Sequence, residues 1–376
     1  MKVTVLQDNL ARGLGMVSRA VSPRSTLPVL SNILIASDEG RLRLSATNLE
    51  LGITCWIGAK VEEEGSTTVP ARTFADLVGT LPQEQVSLNL NLSTQSLNVR
   101  CGASTTDIKC IDAQEFPPLP VPDMDGAILL NVSDLKDMIS QVVFAASTDE
   151  ARPVLMGVLV VVEKDAITMA SADGFRLSVR KGTLSQPAAQ PFTAIIPARA
   201  LSELARVATD GNEMISMVMP KGRGQVVFRM KEVEVVSQLI DGTFPDYEQI
   251  IPRAFKSRTI LSTSALLKAC KQAEIFAREG SNVARFNIKS SGDLEPGSME
   301  ISAQSEETGS NETVVAATIE GAGLLIAFNV KYLREALEVI KSPNVALETS
   351  APNAPGVVRP VGDDNFLHVI MPMHLG

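Results

Sequence analysis

Histidine, cysteine and the large aromatic residues are scarce in this chain, and each scarcity removes a class of function. The 376 residues include two histidines, four cysteines, one tryptophan and two tyrosines. Cys55, Cys101, Cys110 and Cys270 lie far apart, with no C-x-x-C pair and no histidine at zinc-ligand spacing. They read as small buried hydrophobes, and no metal site is expected. His368 and His374 sit near the end of the chain with no nucleophile motif beside them, and read as residues of a terminal strand. No stretch approaches the roughly 18 consecutive apolar residues of a membrane span. Met1-Lys2-Val3-Thr4-Val5-Leu6 alternates like a strand and lacks the apolar core of a signal peptide, so a cytoplasmic protein is expected. Phosphate loops, dinucleotide fingerprints, nucleophile elbows and H-E-x-x-H pairs are missing as well. Glu62-Glu63-Glu64-Gly65 reads as a solvated loop and Asp173-Gly174 as a turn. No catalytic residue and no cofactor is expected.

What is present is repetition. With 45% apolar and 20% charged residues the chain is a folded one, and its length suits two or three domains. Leu27-Pro28-Val29-Leu30-Ser31-Asn32-Ile33-Leu34-Ile35 reappears, shifted by 125 residues, as Arg152-Pro153-Val154-Leu155-Met156-Gly157-Val158-Leu159-Val160, both read as strands. The same shift carries Ala46-Thr47-Asn48-Leu49-Glu50-Leu51 onto Ser171-Ala172-Asp173-Gly174-Phe175-Arg176. A shift of 127 carries Val69-Pro70-Ala71-Arg72 onto Ile196-Pro197-Ala198-Arg199, and 128 carries Glu115-Phe116-Pro117 onto Thr243-Phe244-Pro245. Phe328-Asn329-Val330-Lys331-Tyr332-Leu333 takes the corresponding place in the last third, 132 residues further on. Three domains follow, at 1–122, 123–253 and 254–376, with junctions at Pro117–Pro122 and Ile251–Arg253.

Each repeat reads as strand, helix, several strands, helix, strands. The fold class is α+β, with antiparallel sheets and two helices per repeat. Helices are predicted at 8–20, 72–80, 133–146, 198–208, 264–279 and 330–341, with Asp8, Ser133-Asp134 and Ser262-Thr263-Ser264 at their starts. These segments hold 12 of the 34 basic and 9 of the 43 acidic residues, a cationic excess in a chain of net charge -9. Cations seven apart share a helix face: Arg12 and Arg19, Arg199 and Arg206, Lys271 and Arg278, Arg334 and Lys341. If helices line the concave side of a curved array, a weakly positive surface faces inward and an acidic one outward, an arrangement suited to surrounding a polyanion without gripping it. A repeat-built structural or protein-interaction module without DNA binding is the alternative.

The chain resembles the beta subunit of bacterial DNA polymerase III, the sliding-clamp family, along its whole length. The resemblance is carried by Arg24-Ser25-Thr26-Leu27-Pro28, Val69-Pro70-Ala71-Arg72, Ala172-Asp173-Gly174-Phe175-Arg176-Leu177, Asp241-Gly242-Thr243-Phe244-Pro245-Asp246-Tyr247 and the tail Met371-Pro372-Met373. It implies a head-to-tail homodimeric ring of six similar domains, antiparallel sheets outside and helices lining a hole that holds duplex DNA. By position, Ile108, Ile275 and Phe276 belong to the dimer interface, and Arg24, Arg72, Arg152 and Arg199 neighbour the phosphates. It further implies a pocket for a short linear peptide of polymerases, the clamp loader and repair proteins. Its walls are Leu155, Ala172, Gly174, Phe175, Arg176, Leu177, Pro245, Gln249, Ile250, Asn329, Tyr332, Val369, Ile370, Met371, Pro372 and Met373. Pro153 and Val154 stand where some members carry aromatics on a DNA-facing loop, and Phe175 and His374 where others carry polar or basic residues.

Overall fold

Proline decides where two of the expected strands begin. The computed structural model, which describes residues 1–22, 27–120, 123–209, 213–220, 222–279, 281–290 and 296–374, places a 3-10 turn at Pro28–Ser31 and another at Pro153–Met156. The strands start only afterwards, at Asn32–Asp38 and Gly157–Glu163. The proline ring fixes φ near the helical value and supplies no ladder N–H, so an apolar run that reads as strand throughout turns first.

Six α-helices occur among the described residues: α1 (Gln7–Val17), α2 (Ala71–Thr80), α3 (Val132–Val142), α4 (Ala198–Val207), α5 (Thr263–Ala277) and α6 (Val330–Glu338). The longer spans expected for α1 and α3 tighten into single 3-10 turns at Ser18–Ala20 and Val143–Ala145. Asp8 sits inside the first turn of α1 rather than at its cap. At α3 the capping oxygen comes from Asn131, which accepts the N–H of Ser133 at 2.9 Å. Ser262 caps α5 as expected, accepting from Ala265 at 3.4 Å. In α6, Val330, Leu333, Ala336 and Leu337 recur at helical spacing and form the buried face.

All strand pairings are antiparallel, as expected. One 12-stranded sheet runs from Ser104–Lys109 through Ser96–Cys101, Gln85–Asn91, Lys2–Leu6, Leu51–Glu63, Val233–Gln238, Gln225–Arg229 and Met214–Val218 to Ile128–Asn131, with Asn32–Asp38, Arg41–Thr47 and Ser66–Pro70 attached beside it. The other 12-stranded sheet begins Phe192–Pro197, Gly157–Glu163, Ala166–Ala172, Arg176–Thr183, Phe366–Ile370, Gly356–Pro360 and Asn344–Thr349. It continues through Ser257–Ser262, Gly309–Gly321, Ser298–Ser305 and Val283–Lys289 to Leu324–Asn329.

The chain forms two compact units, 1–133 with 203–239 and 134–202 with 240–376. The central repeat contributes to both, because the closing strand of a repeat pairs with the sheet of the repeat before it. Val233–Gln238 pairs with Leu51–Glu63 in the first unit, and Phe366–Ile370 pairs with Arg176–Thr183 in the second. The second unit's principal core gathers Leu266, Cys270 and Ala273 of α5, Leu333 and Leu337 of α6, and Phe286, Phe328 and Ile370 from the strands beneath. Burying each large side chain contributes about 1.5–3 kcal/mol, enough to hold helices whose lengths are marginal in isolation. Cys55, Cys101 and Cys270 are buried as expected, whereas Cys110 is only half-buried.

Candidate functional site

The turn joining Ala166–Ala172 to Arg176–Thr183 organises the site. Gly174 holds φ at +97°, in the left-handed region that favours glycine. Asp173 folds back over it, its Oδ1 accepting the backbone N–H of Phe175 at 2.9 Å and of Arg176 at 3.1 Å. This is the turn role expected for Asp173. The repeat-related turn is built alike, with Asn48 Oδ1 accepting from Glu50 and Leu51. Phe175 stands 57% exposed at the apex, and its carbonyl accepts the N–H of Met371 at 2.9 Å. The tail is fastened further by Met373, which donates to the Ala327 carbonyl at 2.8 Å, and by a bridge between Pro372 and Phe328.

Arg176, expected in a pocket wall, is a nearly buried staple. Its Nε donates to Asp173 at 2.9 Å and a terminal nitrogen to Glu335, with only 8% of the side chain exposed. Its guanidinium lies 4.1 Å from the centroid of Tyr332 and 5.5 Å from that of Phe144, stacked as an arginine stacks on aromatic faces. Asn329 caps α6 through the N–H groups of Lys331 and Tyr332, which fixes the ring that Arg176 packs on. A cavity of about 600 Å³ opens beside this staple, lined by Phe144, Asp149, Arg152, Phe175, Arg176 and Tyr332 among others.

Alternation along the strands divides the other expected wall residues. Leu177 lies opposite Val369 in register, and both join Ala172, Leu155, Phe244 and Tyr247 in one apolar cluster. Ile370 lies opposite Arg176 and is fully buried in the core beneath α5 and α6, so it does not belong to that cluster. Ala172, Leu177 and Val369 are themselves buried. Among the expected wall residues the exposed apolar ones are Phe175, Ile250 and Met371; Gly174, Pro245 and Gln249 are exposed too, and Leu155, Asn329, Tyr332, Pro372 and Met373 are half-buried. Gln249 donates to Asp246 at 2.7 Å.

Sequence reasoning missed the roles of Phe144, Glu335 and His368. His368 is fully buried, its Nδ1 2.7 Å from Ser178 Oγ and its ring 5.4 Å from that of Phe144. Burial, assisted by the nearby Arg176 charge, pushes its midpoint down to about 3, so the folded protein holds it neutral. Below the free imidazole value near 6.5 the unfolded chain binds the proton that the folded one refuses, so stability is complete above that pH and is lost on acidification toward 3. Between pH 6.5 and 5, where most carboxylates stay ionised, the unfolding free energy should fall by about 2 kcal/mol. In His368→Gln that slope should flatten, as read by urea unfolding at each pH.

Of the expected phosphate neighbours, Arg72 is open, 3.7 Å from Asp76 with 96% of its side chain exposed. Arg199 is exposed, Arg152 pairs with Asp149 at 2.9 Å, and Arg24 lies outside the described residues. The basic stripes are partly neutralised. Arg334 is held by Glu274 at 2.6 Å and Glu338 at 2.8 Å, Arg19 and Arg206 share Glu203, Lys271 pairs with Glu338 at 3.0 Å, and Lys341 lies beyond α6, paired with Asp137. Of the expected interface residues, only Ile275 projects fully, at 58% exposure; Ile108 is buried within its strand and Phe276 packs partly into the core. Val314, 62% exposed on Gly309–Gly321, went unnoticed in the sequence.

The arrangement defines a binding scaffold, with apolar side chains offered above a rigid, ion-paired base. Residues 1–120, 129–246 and 248–374 match the N-terminal, central and C-terminal domain models of the DNA polymerase III beta subunit. The chain is 33% identical over 380 residues to the beta sliding clamp of Synechococcus elongatus, covering 100% of both. It superposes on the DNA polymerase sliding clamp of Bacillus subtilis with a TM-score of 0.93 at 31% identity, covering 100% of each chain. It superposes likewise on a Pseudomonas aeruginosa sliding clamp bound to griselimycin, with a TM-score of 0.91 at 28% identity and full coverage of both chains. The chain belongs to the DNA polymerase III beta-subunit family, the sliding clamps of DNA replication. Its three tandem clamp domains are the repeats seen in the sequence.

Proposed function

We propose that two copies of this chain close head to tail into a ring around duplex DNA, which tethers the replicative polymerase and receives other partners through a short peptide. The observation that carries this is a strand junction made twice and left open once. In each compact unit the closing strand of one repeat pairs with the middle of the preceding repeat's sheet. The closing strand of the first repeat, Ser104–Lys109, pairs only with Ser96–Cys101 among the described residues. Among the described residues, the stretch Gly309–Ala316 of the third repeat pairs only with Ser298–Ser305. A second copy satisfies both edges by the same junction, a heterologous contact that closes. Ile275 and Val314 supply exposed apolar surface for it. Sedimentation should show a dimer, and Ile275→Asp with Val314→Asp should shift it to monomer at equal concentration. A wild-type monomer at micromolar concentration would refute the ring.

The domain limits 1–122, 123–253 and 254–376 are those of the repeats. Arg24, Arg72, Arg152 and Arg199 act as salt-sensitive, sequence-independent phosphate neighbours. The protein carries no reaction of its own, takes no cofactor, and works in the cytoplasm, where its work is to raise the effective concentration of a polymerase at its template.

The partner peptide docks on Phe175, Ile250 and Met371, above Leu155 and Tyr247, with Asn329 and Tyr332 at the edge. Exposed apolar groups beside a few fixed polar ones suit an extended peptide with apolar anchors. A labelled Gln-Leu-x-Leu-Phe-type peptide should bind at roughly -7 to -9 kcal/mol. Phe175→Ala and Met371→Ala should each weaken it about tenfold, with unfolding curves unchanged. Undiminished binding by both variants would place the peptide elsewhere.

A further inference from the structure

The first compact unit has a sheet face that is repeat-related to the apolar cluster just described, yet its chemistry is different. By the 125-residue shift, Ala170, Ala172, Leu177 and Val179 correspond to Ser45, Thr47, Gly52 and Thr54. Ser45 and Thr54 hydroxyls bond each other at 3.0 Å, and the place of a side chain at Gly52 is taken by Leu119, 3.0 Å from where a Cβ would lie. Where apolar cover is lost, a cavity of about 660 Å³ remains, walled on one side by Phe116–Pro120 and on the other by Arg43, Trp56 and Arg229. It shares the Pro117–Pro120 wall with a smaller hollow of about 130 Å³ beside Leu49 and Gln238. The two together make a track along the proline segment, which suits an extended chain better than a compact molecule.

Its charges point to the sign of the occupant. Four cations, Arg41, Arg43, Arg229 and Lys231, line the cavity against three acids, and the acids are already engaged: Asp38 accepts from Trp56 Nε1 at 2.7 Å and faces Arg43 at 3.6 Å, Glu39 faces Arg41 at 4.0 Å, and Glu234 accepts two bonds from Arg229. Arg43 Nε is buried with no acceptor among the described residues. Arg41 lies 5.9 Å from the Trp56 centroid, and Lys231 is exposed on the hairpin tip that borders the cavity. Arg43 keeps 38% of its side chain exposed in the lining, where a carboxylate entering the cavity meets its charge. Trp56 and the prolines offer the apolar strip on which the intervening side chains lie.

We propose that this groove is a second docking site, for an acidic peptide segment of a partner whose carboxylates meet Arg43 and Lys231 and whose apolar residues pack on Trp56 and Pro118. It is independent of the peptide reading of the second unit. Trp56 is the chain's only tryptophan, so its emission reports this groove alone. The test uses a blocked hexapeptide pool with Glu fixed at two alternate positions and the rest random, and a matching pool with Lys fixed. Binding is followed by Trp56 emission and by calorimetry. The acidic pool should bind saturably and weaken with salt, undisturbed by saturating Gln-Leu-x-Leu-Phe peptide. Lys231→Glu, a change at an exposed residue, and Arg43→Gln should each reduce binding about fivefold or more, with unfolding curves confirming the fold. No binding of the acidic pool at millimolar concentration overturns the proposal. So does equal binding of the two pools, or undiminished binding by Lys231→Glu and Arg43→Gln.

Discussion

Arg176→Ala should lower the unfolding free energy by about 3–5 kcal/mol. The arginine is nearly buried between two carboxylates, Asp173 at 2.9 Å and Glu335. Deleting it leaves both acids in a poorly solvated site without their cation, which costs more than the pair itself ever contributed. Its stacking on Tyr332 and Phe144 is lost at the same time. Arg176→Lys keeps the charge but neither the two-pronged geometry nor the planar stacking, and should recover about half the loss. Urea unfolding of the three proteins gives both numbers. Because the staple joins the Asp173–Phe175 turn to α6, the partner peptide should also bind Arg176→Ala more weakly at temperatures where the variant is still folded. A variant as stable as the parent would show that the ion pairs are solvated in solution.

Phe328→Ala should cost about 3–5 kcal/mol, the usual penalty for emptying a fully buried aromatic site. Phe328 is 0% exposed, 5.7 Å from the ring of Phe286, and it fills space that only a glycine opposite permits. A Cβ at Gly356 would stand 2.6 Å from Phe328 Cζ. Gly356→Ala alone should therefore destabilise by about 1–3 kcal/mol through overpacking. In a Phe328→Leu background the same methyl enters vacated space, and its cost should shrink. The two substitutions are coupled, and a double-mutant cycle measured by thermal or urea unfolding reads the coupling directly. Strict additivity would contradict the contact.

The repeat, the α+β class and the antiparallel pairing were legible because they rest on periodicity and on motifs recurring at nearly constant shifts. So were the starts of α4, where Ile196-Pro197-Ala198-Arg199 announces a helix, and the Asp173 turn. Less legible was anything requiring two distant segments at once. Arg176 reads as a pocket cation until Glu335, from another repeat, is seen to occupy it. Ile370 and Val369 are neighbours in sequence and share apolar character, yet strand alternation sends them to different cores. The register that decides which goes where is set by pairing with residues 176–180. The basic stripes are legible as spacing, and Glu203 as a neighbour of one of them, but the pairing of Arg334 with Glu274 and of Lys271 with Glu338 joins two helices and is not.

The way repeats borrow strands bears on how the chain can be cut. Excising the central repeat at its sequence limits would carry Val233–Gln238 away from Leu51–Glu63 and leave Arg176–Thr183 without Phe366–Ile370. Such a fragment would expose bare ladders at both ends and should be an aggregating species rather than a module. A protease or an expression vector that respected the repeat boundaries would thus destroy what a nick between Leu239 and Ile240, one of the three places where the chain passes from one compact unit to the other, would leave largely intact.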